Sequence, residues 1–192
     1  MKPSGLTRLR SLAILLILAT FQDTRAGAEF RQVEAGEYAI KAVFLYNLVK
    51  YTDWPPTSTL SGSDLPIVLA VVGDDPFGRS LDEAVKDRTV RGRQIQLVRT
   101  NDPRSLRNLN VAFLNTTGDS AHTFELVQAL AVRGVLTVGD NDRTARAGVA
   151  VSFVMVQGKV RFDINQNAAR RWKIELSSQL LKLARRVIEP EY

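Results

Sequence analysis

Acidic residues follow two predicted strands and are the side chains best placed to do chemistry. Asp74 and Asp75 come after the apolar run 65–72, and Asp140 comes after the apolar run 135–138. In an open parallel sheet the ligand crevice lies beyond the carboxyl ends of the strands, so both acidic loops would face one crevice. Acidic residues at strand ends also form turns and cap helices, which requires no ligand. Asp74, Asp75 and Asp140 are therefore a candidate ligand crevice, with a purely structural role as the alternative.

The chain supplies little else for catalysis. It has one histidine, His122, and no cysteine, which excludes thiolate catalysis and metal sites built from several His or Cys ligands. The sequence contains no Gly-x-Ser-x-Gly elbow, which favours a surface or capping role for His122. It also lacks the glycine fingerprints of nucleotide-binding loops. We expect no cofactor, no metal and no enzymatic activity, and a hydrolase that uses the carboxylates is the remaining enzymatic alternative.

Aromatic and basic side chains suggest a second kind of site, a protein interface. Tyr51 and Trp54 lie at the end of the first predicted helix, and aromatic rings that carry a polar group suit partner surfaces. Core packing is an equal alternative for both. Arg185 lies beside the leucines of a predicted terminal helix, whose apolar stripe covers either the sheet or a partner. The candidate partner interface is Tyr51, Trp54 and Arg185.

The first 28 residues have the pattern of an export signal. Basic residues precede a short apolar run at 12–21, and Ala26-Gly27-Ala28 offers the small-x-small site that signal peptidase cuts. This run is too short for a bilayer core, which needs roughly 20 apolar residues. We predict cleavage after Ala28 and a periplasmic product without stable membrane insertion, with an uncleaved anchor as the alternative.

Composition narrows the class of the mature chain 29–192. The leader holds four of the 26 basic and one of the 20 acidic residues, so removing it lowers the net charge from +6 to +3. This net charge is modest, and the basic clusters are short, at 91–93 and 170–173. Both features favour a solvated surface, so we expect no nucleic-acid partner. The length suits a single domain. Without cysteine, its stability must come from packing.

The elements that must position these residues alternate between strands and helices. Helical spacing of apolar residues predicts a first helix over 34–51, which ends before Pro55-Pro56. Apolar strands then alternate with helices, which predicts a mostly parallel central sheet with helices on both faces. The predicted strands are 65–72, 94–98, 111–114 and 135–138, and the helices between them are 78–86 and 120–133, the second capped by Ser120.

The last third of the chain breaks this alternation. Apolar stretches at 149–156 and 160–164 flank Gln157-Gly158-Lys159, which predicts an antiparallel hairpin at one edge of the sheet. A short helix follows Asn165. A terminal helix that starts at Ser178, with an apolar face reaching Ile188, completes the predicted α/β fold.

Six segments, in order along the mature chain, resemble the YfiR-like family of periplasmic proteins. The longest, 39–55, reads AIKAVFLYNLVKYTDWP and is similar to the opening helix of that family. The other five are 72–78, 92–93, 136–140, 160–165 and 176–184. The resemblance covers essentially the whole of 29–192.

This resemblance implies a non-catalytic α/β domain that inhibits a membrane-bound sensor by protein–protein contact. A diguanylate cyclase is the sensor it implies first, so that release of the cyclase would raise cyclic di-GMP and promote biofilm. A histidine kinase is another sensor partner, and relatives suggest a homodimer. The alternative is a periplasmic small-molecule receptor that uses the Asp74/Asp140 crevice and feeds a sensor kinase or cyclase. Asn110 stands where several relatives have a cysteine, so redox control does not carry over.

Overall fold

The structure is a computed structural model that describes residues 34–54, 65–116 and 118–189. The predicted export signal and its cleavage site lie outside these residues. Residues 34–38 open the first helix, and the chain from Ala39 onward forms one compact unit. No helix in the described residues has the length and apolar composition needed to cross a membrane.

Strands and helices alternate much as the sequence predicts. The first half contains α1 (34–50), β1 (Thr52–Asp53), β2 (Ile67–Gly73), α2 (Arg79–Val85), β3 (Thr89–Val90), β4 (Arg93–Thr100), a 3-10 turn (Pro103–Ser105) and β5 (Leu109–Asn115). The second half contains α3 (Ser120–Ala131), β6 (Leu136–Gly139), α4 (Asp142–Arg146), β7 (Val151–Val156), β8 (Lys159–Asn165), α5 (Gln166–Arg171), β9 (Glu175–Leu176), α6 (Ser178–Leu183) and β10 (Arg186–Ile188).

The central sheet has eight strands in the order β10-β8-β7-β6-β5-β2-β4-β3. The five strands from β7 to β4 are mutually parallel, whereas β8 runs antiparallel to β7 and β3 antiparallel to β4. The strands β2 and β5 are buried along their length except for their last residue, as expected for strands covered on both faces. The predicted fold class, a mostly parallel α/β sheet with an antiparallel hairpin, is confirmed.

Helices cover the two faces of this sheet with different side chains. On one face, α3 packs its Leu126, Val127 and Leu130 into a cluster with alternate residues of β2 and β5. On the other face, the Phe44 ring of α1 lies 6.2 Å from Phe153 and 5.4 Å from Phe162. Each large apolar side chain buried in this way contributes about 1.5–3 kcal/mol to stability.

A buried polar residue marks an irregularity between β2 and β5. The pairing register shifts between Val68 and Leu69. At this point the side-chain Oδ1 of Asn110, which is fully buried, accepts a hydrogen bond of 2.9 Å from the main-chain N–H of Val68. The Nδ2 of Asn110 has no hydrogen-bond partner in the described residues. The amide therefore takes the place of a main-chain acceptor in the ladder.

Two details of the predicted helices are wrong. Asp119, and not Ser120, caps α3, because its carboxylate accepts a 2.7 Å hydrogen bond from the main-chain N–H of His122. The terminal helix, capped by Ser177, ends at Leu183 and does not reach Ile188. The main-chain N–H of Arg185 instead donates to Phe162, and residues 186–188 pair with β8 as a parallel strand. The β-branched Val187 and Ile188 suit that strand.

Candidate functional site

The loop after β2 carries the predicted acidic residues Asp74 and Asp75. It starts at Gly73, whose φ is +90°, and a Cβ there would lie 2.2 Å from the carbonyl oxygen of Asn115, so only glycine fits. The side chain of Asn115 donates a 2.9 Å hydrogen bond to the main-chain oxygen of Asp74. One carboxylate oxygen of Asp75 accepts a 2.8 Å hydrogen bond from the N–H of Phe77. These bonds fix the loop.

The second carboxylate oxygen of Asp75 is bound by Arg99 of β4. The Nε of Arg99 donates to Asp75 at 2.6 Å, and its Nη2 donates to Asp82 at 2.6 Å. This hydrogen bond from Arg99 holds the pKa of Asp82 below its ordinary value, and the two carboxylates raise the pKa of Arg99. Arg99 thus joins β4 to α2 and to the loop before it, and the charge of Asp75 is compensated.

The other predicted acid, Asp140, forms a buried ion pair. The Nζ of Lys41 in α1 lies 3.0 Å from Oδ2 of Asp140, and the two side chains are only 4% and 6% exposed. The residue before it, Gly139, lies so close to Thr144 that a Cβ would approach Oγ1 to 2.1 Å. Asn141 and Thr144 form a capping box at the start of α4. The ion pair between Lys41 and Asp140 fastens α1 to the end of β6.

The structure places the predicted crevice residues at one end of the sheet but not side by side. The loop of Asp74 and Asp75 follows β2, Asp140 follows β6, and β5 lies between these strands, so the two positions are roughly 10 Å apart across the sheet. Asp75 forms an ion pair with Arg99, and Asp140 forms one with Lys41. The side chain of Asp74 is exposed. The ligand crevice stays a prediction, with Asp74 as its accessible acid.

The predicted interface residues Tyr51 and Trp54 lie beside a small two-stranded ribbon. Thr52 and Asp53 of β1 pair antiparallel with β9, and the main-chain N–H of Ser177 donates a 3.0 Å hydrogen bond to Tyr51. Both aromatic side chains are half-buried. The indole N–H of Trp54 is buried and has no acceptor in the described residues.

Arg185 is engaged within the protein. It lies after α6, not on the terminal helix as predicted, and donates two hydrogen bonds of 2.7 and 2.5 Å to the carboxylate of Asp163. Arg186 adds a third bond of 3.1 Å to the same carboxylate. The hydrogen bond from Arg185 holds the pKa of Asp163 below its ordinary value, and that of Arg185 is raised. A partner-binding role for Arg185 stays a prediction.

Arg185 and the aromatic pair lie at different ends of the sheet. Asp163, which binds Arg185, lies opposite Ser152 of β7, and Ser152 pairs with Gly139, the last residue of β6. No hydrogen bond or ion pair among the described residues joins Arg185 to Tyr51 or Trp54. The predicted interface residues therefore form two separate features: Arg185 lies at the level of the carboxyl end of β6, and the aromatic pair lies beside Asp53, whose carboxylate pairs with Arg91 just before β4.

Comparison with protein families identifies the chain. The model of the YfiR/HmsC-like family matches residues 38–185, well over half of the sequence. The chain belongs to this family. The match includes α1 from residue 38 onward, all strands of the central sheet except β10 and both acidic loops, so the predicted resemblance is confirmed. Membership in the YfiR/HmsC-like family is consistent with a periplasmic regulator of cyclic di-GMP signalling.

Comparisons beyond the YfiR/HmsC-like family are more remote. No curated protein matches the chain. One similar solved structure is an ABC domain from Streptococcus pneumonia in complex with L-Trp, with 12% identity, a TM-score of 0.47, and coverage of 77% of this chain and 62% of that one. Another is a conserved domain protein from Vibrio cholerae O1 biovar El Tor strain N16961, with 11% identity, a TM-score of 0.49, and coverage of 77% and 60%. The chain thus spans about three fifths of each.

Sequence reasoning missed three residues that organise this YfiR/HmsC-like domain. Lys41, Arg99 and Asp163 each bind an opposite charge that lies far away in the sequence. A signal existed for Lys41, because it interrupts the apolar face of the first predicted helix next to Ala42 and Leu45, both fully buried. A lysine on a buried face requires a partner.

Proposed function

We propose that this protein is a periplasmic repressor that holds a membrane-bound diguanylate cyclase inactive by direct contact. The family match over residues 38–185 carries the proposal. The working form is the single domain 29–192, released after cleavage behind Ala28. A histidine kinase is the alternative sensor.

The described side chains favour contact over turnover. They contain no group of three or more His, Cys, Asp or Glu residues that could hold a metal ion. His122 lies exposed in the first turn of α3. Asp75 and Asp140 are bound by Arg99 and Lys41, so they are poorly suited to proton transfer or nucleophilic attack. These features support a protein that acts by occupying its partner.

The contact surface that we propose centres on Tyr51 and Trp54. Interface energy concentrates in aromatic and arginine side chains at the centre of a contact. Both side chains are half-buried, so part of each is available to the sensor. The indole N–H of Trp54 is buried without an acceptor in the described residues, and an acceptor on the sensor would satisfy it only after the residues that cover it have moved. The exposed Lys50 lies next to this surface, with its Nζ 5.2 Å from the centre of the Tyr51 ring.

A matched pair of charge reversals tests the proposal. Deleting the gene should raise cyclic di-GMP, and restoring the wild-type chain or Lys159→Glu should lower it again. Lys50→Glu should fail to restore repression, because loss of about 1.4 kcal/mol at the contact weakens binding roughly tenfold. Both lysines are exposed, Lys50 beside Tyr51 and Lys159 in the β7–β8 hairpin, so each change should alter folding stability by no more than about 0.5 kcal/mol.

Other results would replace parts of this proposal. Unchanged cyclic di-GMP after deletion would exclude the cyclase, and phosphorylation of a sensor kinase would be measured next. If Asp74→Asn abolishes repression while Lys50→Glu retains it, the protein is a ligand receptor that uses the carboxyl end. Asp140→Asn is unsuitable for this comparison, because it would leave the buried Lys41 without its carboxylate.

A further inference from the structure

A small cavity lies between α3 and α5. Its volume is about 200 Å³, and its lining includes Gln128 of α3 together with Asn165, Asn167, Arg171 and Trp172 around α5. Drug-sized ligands occupy pockets of roughly 300–1,000 Å³, so a cavity of this size suits a ligand with a single ring. Among the described residues, those of the candidate crevice and of the proposed contact surface do not line it. The cavity is therefore a separate candidate site.

The side-chain amides in this cavity retain donors and acceptors for a ligand. Oδ1 of Asn165 accepts a 3.1 Å hydrogen bond from the main-chain N–H of Ala168, so its Nδ2 remains as a donor. Nδ2 of Asn167 donates a 3.2 Å hydrogen bond to the main-chain oxygen of Glu189, so its Oδ1 remains as an acceptor. The side-chain amide of Gln128 has no hydrogen-bond partner in the described residues. Because a hydroxyl both donates and accepts, these amides suit a ligand with several hydroxyls.

Among the described residues that line the cavity, Arg171 carries the only charge. Its Cζ lies 5.6 Å from the centre of the Trp172 ring, so the charge and the ring can contact one small ligand. No carboxylate in the described part of the chain pairs with this guanidinium, whereas aspartates bind Arg99 and Arg185. A guanidinium presents a fork of N–H groups that matches a carboxylate. The cavity therefore favours a ligand with one carboxylate.

The backbone at the end of α5 adopts a conformation that favours glycine, although no glycine is present. Lys173 has a φ of +59°, which is costly for a residue with a side chain. The main-chain N–H groups of Lys173 and Ile174 donate hydrogen bonds of 2.9 and 3.0 Å to the oxygens of Arg170 and Ala169, the pattern of a Schellman turn. Such strained residues cluster at ligand-binding sites. This turn fixes the end of α5 beside the cavity.

We propose that this cavity binds a monosaccharide that carries a carboxylate. The C–H groups of the sugar ring pack on the Trp172 side chain, and the carboxylate binds Arg171. The hydroxyls bond to Asn165, Asn167 and Gln128. The volume excludes a nucleotide, which has at least two rings, and the described lining has no acid to bind the ammonium group of an amino acid. This site does not depend on the sensor, so its test is separate from that of the proposed function.

Isothermal titration calorimetry of the exported chain tests the class of ligand. Glucuronate and galacturonate have both the ring and the carboxylate, glucose lacks the carboxylate, and acetate lacks the ring. At least one sugar acid should bind with a Kd of about 1 mM or lower, and glucose and acetate should bind at least about tenfold more weakly. Equal binding of glucose would contradict the carboxylate contact, and equal binding of acetate would contradict the ring contact. No binding of either sugar acid would overturn the proposal.

Two neighbouring arginines test the position of the carboxylate. Arg171→Gln should weaken binding of the sugar acid at least about tenfold and leave the weak binding of glucose unchanged, because only the sugar acid uses this charge. Arg170→Gln is the matched control, since Arg170 is exposed and does not line the cavity, and it should bind the sugar acid as the wild type does. Equal weakening by both substitutions would reduce the effect to net charge and overturn the assigned site.

Tryptophan fluorescence tests the position of the ring. The chain has two tryptophans, Trp54 and Trp172, so Trp54→Phe leaves Trp172 as the only reporter. The sugar acid should change the emission of this variant, with the same Kd that calorimetry measures. Emission that stays constant while calorimetry detects binding would place the ligand away from Trp172 and overturn the proposed site.

Discussion

The centre and one edge of the central sheet use charged side chains differently. At the carboxyl ends of the central strands β6 and β2, Asp140 and Asp75 pair with Lys41 and Arg99, which lie 99 and 24 residues away in the sequence. These ion pairs fasten helices to strands. At one edge, where β8 pairs with β10, Asp163 is bound by two arginines whose side chains stay 42% and 63% exposed. Parallel α/β folds usually bind ligands at the carboxyl end. Here that end is occupied by structural ion pairs, and the proposed contact residues Tyr51 and Trp54 lie beside Asp53, whose carboxylate pairs with Arg91 just before β4.

The largest expected effect is at the carboxyl end. Lys41→Met should lower the free energy of unfolding by about 3 kcal/mol, because it leaves the buried carboxylate of Asp140 without its cation. Urea denaturation measures this loss. Lys50→Met, a substitution at the exposed end of the same helix, is the matched control and should change stability by at most about 0.5 kcal/mol. A loss below about 1 kcal/mol for Lys41→Met would show that the pair does not fasten α1.

A smaller effect is expected at the edge formed by β8 and β10, and it depends on pH. The pKa of Asp163 is lowered in the folded state by its hydrogen bond from Arg185. Its stabilising contribution is therefore complete above the unfolded pKa near 3.9 and is lost as the pH falls through the folded value. Asp163→Asn should lower the free energy of unfolding by about 1.5 kcal/mol at pH 7 and by progressively less below pH 4.

Asp142→Asn is the control for this pH profile. Asp142 is 93% exposed and lies 3.9 Å from Arg146, so its substitution should leave stability nearly unchanged across the same range. The comparison uses chemical denaturation at several pH values. If the loss of unfolding free energy caused by Asp163→Asn stays constant down to pH 2, the role of Asp163 does not depend on its charge.

The smallest effect on stability is expected for Trp54→Phe. The change keeps an aromatic ring and removes the indole N–H, which has no acceptor in the described residues, so the free energy of unfolding should change by less than about 1 kcal/mol. Repression of cyclic di-GMP should nevertheless fall if the sensor supplies that acceptor. Full repression by Trp54→Phe would remove this N–H from the proposed contact and leave the aromatic ring as its only contribution.

Local patterns in the sequence predict most elements of the sheet, because buried strands and amphipathic helices have distinct periods. They fail for residues 186–188, where a strand of three residues is too short for its period to be distinguished from a helix. They also fail for the ion pairs. Asp75, Asp140 and Arg185 were singled out for a ligand or a partner, but the opposite charge of each is brought near only by the complete fold.

Asn110 also affects the register in which β2 and β5 pair as the chain folds. Its side chain reaches the N–H of Val68 only when β2 and β5 meet in the native register. A slip of one residue would turn the amide to the opposite face of β5 and leave it buried without this bond, a penalty of about 1–3 kcal/mol. The same slip would move the apolar residues of β5 to the wrong faces. The amide thus discriminates against misaligned strand pairing, a selectivity that two purely aliphatic strands would lack.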